Sequence, residues 1–104
     1  MYARLVTGKV VPHRLDEVVR LWHENVAPSA KKQKGFRSAR LLVDGRLSKI
    51  VSIGLWDSKA DFERTIGWND GQLRGFVGLM AGPPTVEGYE VVGEVKASTA
   101  SDVG

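Results

Sequence analysis

An α+β fold built on one antiparallel sheet is the class this sequence predicts, and three observations predict it. Four segments rich in Val, Leu and Ile alternate with two segments whose apolar residues recur every three or four positions, in the order β-α-β-β-α-β. The middle two strands flank Asp44-Gly45, a two-residue hairpin signal. The chain, at 104 residues, is long enough to bury one core without staples.

Each element has its own reason. Residues 3–11 carry Leu5, Val6, Val10 and Val11 without an internal breaker and read as the first strand, which Pro12 ends. From Leu15 the period changes. Leu15, Val18, Trp22 and Val26 make one helical stripe, with Asp16, Glu17, Arg20, His23 and Glu24 mostly off it. Pro28 is expected to kink or restart this helix, because proline removes a donor and clashes with the preceding turn. Gly35 is expected to stop it after the lysines of KKQK.

Residues 36–43 form the second strand, and Asp44-Gly45 predicts a type I′ turn, whose two central positions need positive φ. The third strand starts at Arg46 or Leu47 and ends at Trp56. Ser58 is the predicted N-cap of the second helix, with Asp61 three residues on and Phe62 and Ile66 on one face. GWNDG, residues 67–71, is expected to interrupt that helix before Leu73, Phe76, Val77 and Met80 resume the spacing. Gly82-Pro83-Pro84 then breaks it. Residues 85–95 are the fourth strand. One domain over residues 1–95 is expected, followed by a small, polar, disordered tail over 96–104. The order is the split βαβ, ferredoxin-like arrangement, with both helices on one face of a four-stranded antiparallel sheet.

That topology has a consequence for assembly. The third strand puts Val51, Ile53 and Leu55 on one face and Ile50, Ser52, Gly54 and Trp56 on the other. Two helices hide one face only, so the second would be an exposed apolar patch. Packing against a two-fold copy buries it, and a homodimer is expected.

Composition narrows the chemistry. There is no cysteine and there are two histidines, so neither a disulfide framework nor a structural zinc site is expected. The net charge of +3 is mild, and its one basic cluster, Lys31 to Lys34, complements a helix C-terminus; no nucleic-acid partner is expected. MYARLVTGKVV lacks a signal peptide's apolar run and no segment has membrane-spanning length, so a cytoplasmic protein without a membrane partner is expected.

Together, the helix LDEVVRLWHENVAPSAKKQKGF, the strand-turn-strand RSARLLVDGRLSKIVSIGLW, the helix entry WDSKADFERT and the strand EGYEVVGEV resemble the antibiotic biosynthesis monooxygenase domain. The resemblance implies a dimeric α+β barrel with a pocket between sheet and helices in each subunit. It also implies the activity of members that oxidise aromatic polyketides to quinones with molecular oxygen and no metal or flavin. On that basis the expected function is a cofactor-independent monooxygenase acting on an aromatic or quinol-like small molecule. The alternative is a non-catalytic, small-molecule-binding or stress-associated dimer using the same pocket. A third reading, haem degradation, is less favoured. Haem-degrading members use an Asn on the first strand, a Trp ending the third and a His on the second helix. Trp56 carries over, Thr7 takes the first-strand position in a gap-free alignment, and the second helix has no histidine.

The candidate pocket residues follow from these faces. Trp56 has two readings: the wall of a chamber, since Ser52 and Gly54 in line with it leave room beside the indole, or a core tryptophan packed on a helix. Trp22 lies on the apolar stripe as a core residue, Phe62 on the second helix could fill the same space, and Trp68 in GWNDG could form a pocket lip. Tyr89 could donate its hydroxyl to a substrate oxygen, and His23 could act as a base, although it lies off the stripe. Arg37 and Arg40 fall on opposite faces of the second strand, and whichever points inward could pair with a substrate anion.

Overall fold

The computed structural model describes residues 1–98. Strands β1 (Tyr2–Lys9), β2 (Phe36–Asp44), β3 (Lys49–Trp56) and β4 (Thr85–Glu90) form a single sheet in the order β2-β3-β1-β4, and every neighbouring pair is antiparallel. This is the α+β, ferredoxin-like arrangement. Register puts Arg4 opposite Gly54, Val6 opposite Ser52 and Gly8 opposite Ile50. These residues share the face on which all the helices lie. Ala3, Leu5 and Thr7, with Val51, Ile53 and Leu55, occupy the other face.

The first helical segment starts as α1 (Leu15–Leu21), widens into a π-helical turn at Trp22–Val26 and closes as α2 (Ala27–Ala30). Pro28 is the cause. Its ring has no N–H and crowds the carbonyl four residues back, so the chain shifts to a wider turn, in which the Ala27 N–H bonds to the Trp22 carbonyl. Ser29 Oγ covers the carbonyls loosened there, donating to Asn25 O at 2.9 Å and Val26 O at 3.2 Å. Gly35 adopts φ 79°, the left-handed conformation expected where this segment gives way to β2.

Several boundaries differ from the sequence reading, among them the end of the second helical segment, where regular α-helix stops at Arg74 and only a 3-10 turn at Val77–Leu79 follows, short of Met80. The β2–β3 hairpin turns over residues 45–48, and the positive φ falls on Ser48 at 50°. The Asp44 carboxylate decides this by accepting from Arg46 N at 3.0 Å and Leu47 N at 3.1 Å, which folds the chain into a longer turn than Gly45 alone suggests. The second helical segment breaks at Thr65, between α3 (Lys59–Arg64) and α4 (Ile66–Arg74), so GWNDG lies inside α4. Thr65 Oγ1 donates to Phe62 O at 2.7 Å, a local bond that competes with helix continuation. Strand β4 ends at Glu90, and residues 91–98 have no regular structure. Most of the expected tail, residues 99–104, lies outside the described residues.

Ser58 caps α3 as its sequence context suggests, accepting from Asp61 N at 3.1 Å. The core is Val10, Val18, Ile50, Phe76 and Leu79, between the sheet, α1 and the 3-10 turn Val77–Leu79. Among the described residues no helix is long and apolar enough to cross a membrane.

Candidate functional site

A line of small residues across the sheet keeps the helices from closing down everywhere. Gly54 on β3 lies between Arg4 on β1 and Ala39 on β2, and Ser52 lies between Val6 and Leu41. Above this floor are two adjacent cavities that share a wall of Val6, Val26, Ser52 and Asn69. One, of about 40 Å³, is closed by Arg4, Phe36, Ala39, Gly54, Trp56 and Trp68. The other, of about 50 Å³, is closed mainly by Val18, Trp22, Ile50, Gln72, Phe76 and Met80.

The three indoles meet this space differently. Trp22 Nε1 donates to Ser52 Oγ at 3.1 Å, and Trp68 Nε1 donates to Ser29 Oγ at 3.1 Å. Trp56 is 1 % exposed, and its Nε1 is buried without a hydrogen-bond partner. That nitrogen sits over Gly54, 3.6 Å from where a Cβ at residue 54 would be. Phe36 flanks the ring edge-on at 5.3 Å between centroids.

Arg4 is a residue that the sequence reading missed. It is 4 % exposed in the middle of a central strand. Its Nη2 donates to Thr65 Oγ1 at 2.9 Å and Phe62 O at 3.3 Å, its guanidinium lies 4.5 Å over the Phe62 ring, and Nη1 is buried without a partner. Burial pulls its pKa below the usual arginine range, against the attraction of Asp70. The signal in the sequence was a charge alternating in step with Val6 and Val10 on the helix-facing side of β1. Asn69 and Gln72 were missed too, because the break expected at GWNDG hid the face of α4 they share.

The other candidates lie apart from the cavities. Phe62 packs outside both, against Tyr2 at 4.8 Å and beneath Arg4, in space left by Gly88. Thr7 pairs with Val51 and Thr85 on the face away from the helices, one residue out of phase with Val6. Tyr89 is on that face as well, half exposed, with its hydroxyl donating to Glu87, a bond that raises its pKa. His23 is exposed on the π-helical turn, edge-on to Trp22 at 5.2 Å. Neither expected arginine turns inward. A bulge between Phe36 and Ser38 leaves Arg37 in a surface ion pair with Asp57 at 3.2 Å, and Arg40 pairs with Ile53 on the far face. Among the described residues no three His, Asp or Glu side chains gather as metal ligands would.

Residues 1–65 match the sequence profile of the antibiotic biosynthesis monooxygenases. The chain belongs to that family. Solved structures of other proteins share its fold. A protein of unknown function from Nitrosomonas europaea superposes with a TM-score of 0.76 at 15% identity, over 93% of this chain and 94% of that one. The ActVA-Orf6 monooxygenase of Streptomyces coelicolor, solved with nanaomycin D, superposes with a TM-score of 0.73 at 20% identity, over 93% of this chain and 92% of that one. A Mycobacterium tuberculosis protein follows at 0.72 and 15%, over 91% and 98%. At these identities the likeness is one of fold. No curated protein matches the sequence.

The family's haem-degrading branch offers a fit test. Helices α3 and α4 contain no histidine, His13 and His23 are exposed, and neither lines the two cavities. The residues present do not suit a haem iron in this space.

Proposed function

We propose that this antibiotic biosynthesis monooxygenase domain oxidises an aromatic or quinol-like small molecule with dioxygen, without a metal or flavin, as a homodimer. The observation that carries the proposal is the paired cavity over Gly54 and Ser52, walled by Trp22, Trp56, Trp68, Phe36 and Phe76. Flat aromatic walls suit a fused-ring substrate, and the nanaomycin D held by the Streptomyces fold supports that class. In such a reaction the deprotonated substrate supplies the electrons. A ring methylene loses two hydrogens and gains one atom of dioxygen, and the second oxygen leaves as water.

As they stand, cavities of about 40 and 50 Å³ are far below the roughly 300–1,000 Å³ of ligand pockets. A ring would enter by displacing Trp68, which is only partly buried and is held by a hydrogen bond to Ser29 and an edge-on contact with Trp56. The apolar residues Leu5, Val51, Ile53 and Leu55 on the helix-free face of the sheet support the dimer, because a two-fold copy would bury them.

One observation favours a second reading, binding without turnover. Among the described residues no titratable side chain but Arg4 lines either cavity, so none of them places an acid or base beside the ring. Oxygen uptake with anthrones and hydroquinones separates the two. Consumption above the no-protein control is expected; tight binding with none would establish the binding protein.

A further inference from the structure

Arg4 is a buried cation without a counter-anion. Among the described residues no carboxylate lies within ion-pair distance of it, and Asp70, the one acidic group that influences it, is exposed. Burying an unpaired guanidinium is costly, and native interiors rarely leave such a donor unmet. Nη2 is used within the fold, on Thr65 and the Phe62 carbonyl, which fixes the side chain's position. Nη1 remains free. Among the described residues, the other buried side-chain donor without a partner is Trp56 Nε1, and Trp56 lines the same cavity. Register sets Arg4 directly across from Gly54, the residue over which that indole nitrogen stands.

We infer that the space above Gly54 binds one ionised oxygen on an aromatic ring, a phenolate or the enolate of a fused-ring ketone, with Arg4 supplying the charge and Trp56 a second hydrogen bond. The inference rests on the oxidation proposed above and names its substrate class. Two donors, one cationic, suit a single anionic oxygen. A phosphate or sulfate would turn its remaining oxygens toward Val6, Val26 and Phe36. The ring carbons extend past Ser52 and Asn69 toward the apolar second cavity. Ionising the ligand there does two things at once: it neutralises Arg4 and raises the electron density that dioxygen removes. That also accounts for a site with no general base, because the cation promotes proton loss to water.

The test uses the full chain and 2-naphthol, its methyl ether and 2-naphthoate as probes. The naphtholate absorption band, followed against pH, should show bound 2-naphthol ionising about 1–3 pH units below the free compound, the range a neighbouring positive charge produces. Above the bound pKa, 2-naphthol should bind about tenfold or more tighter than the methyl ether. Arg4→Met should abolish the shift, and Trp56→Phe should reduce it. The wild-type comparison with the methyl ether stands even where Arg4→Met fails to fold. Equal binding of 2-naphthol and its ether with an unshifted ionisation would overturn the inference. So would 2-naphthoate binding as tightly as naphtholate, which would mark a carboxylate site. An unshifted ionisation beside rapid anthrone oxidation would reject the anion cradle alone, whereas an Arg4-dependent shift without oxygen uptake would reject the oxidation alone.

Discussion

The indole of Trp56 meets that of Trp68 edge-on, with ring centroids 6.1 Å apart and planes at 75°. This contact joins the end of β3 to the first turn of α4 across the smaller cavity. It makes Trp56 a packing residue and a wall together: the ring is buried and lines the smaller cavity, while its N–H has no hydrogen-bond partner.

Truncation and conservative replacement should therefore part company. Trp56→Ala removes the contacts with Phe36 and Trp68 and should cost about 3–5 kcal/mol of stability, as buried aromatic truncations do. Trp56→Phe keeps most of the ring contact and should cost less, while losing the donor. Urea denaturation alongside binding per folded molecule checks both. Unchanged ligand binding in a folded Trp56→Phe would reduce the residue to packing.

Most of the fold was legible because its signals are local and agree with one another: period-two strands, a helical stripe, the Ser58 cap and Gly35. The misplaced turns came from side chains competing with the backbone, Asp44 at the hairpin and Thr65 within the second helix. The site was half legible. Ser52, Gly54 and Trp56 share a strand face that alternation reveals. Arg4 belongs to the site only through its register with Gly54, and strand register is a long-range property. Thr7 failed by one residue, which in a strand means the opposite face.

Gly35 offers a test of the join between the first helical segment and α3. Its φ of 79° strains any L side chain, and a Cβ there would lie 2.2 Å from Asp61 Oδ2. Gly35→Ala should thus destabilise by about 1–3 kcal/mol from the backbone conformation, with the clash adding to it. Thermal melting measures the loss. Wild-type stability would mean that the helix end rearranges freely, contrary to the Asp57 N–H bond to the Gly35 carbonyl at 2.8 Å.

Asp61 ties α3 together and makes a pH prediction. Desolvation pushes its carboxyl pKa up, but hydrogen bonds with Arg64 and Ser58, and the charges of Arg64 and Lys34, outweigh this and leave it lowered. A carboxylate with a folded pKa below its unfolded value, about 3.9, stabilises fully above that value and loses its contribution as pH falls through the folded pKa. Wild type should accordingly lose more stability than Asp61→Asn on acidification from about pH 5 to pH 2. Parallel acid titrations by circular dichroism would refute the assignment. Ser58→Ala, which removes the cap, should cost about 1 kcal/mol at neutral pH.

The sheet face away from the helices is the surface that the proposed homodimer would use. Leu5, Val51, Ile53 and Leu55 lie together there, and Ile53 is at the centre, in register with Leu5 on one side and Arg40 on the other. A face this apolar on a free subunit favours pairing with its own copy, and a two-fold interface presents every substitution twice. Light scattering after size exclusion at micromolar protein should give twice 11.4 kDa for the wild type. Ile53→Lys brings two like charges into the interface, which costs several kcal/mol, at least about a hundredfold in dissociation constant. It should run as a monomer. Its circular dichroism should stay close to wild type, because the core around Val18 and Phe76 lies on the opposite side of the sheet. A wild-type mass of 11.4 kDa would sink the dimeric barrel. An unaltered dimer in Ile53→Lys would move the interface to another surface.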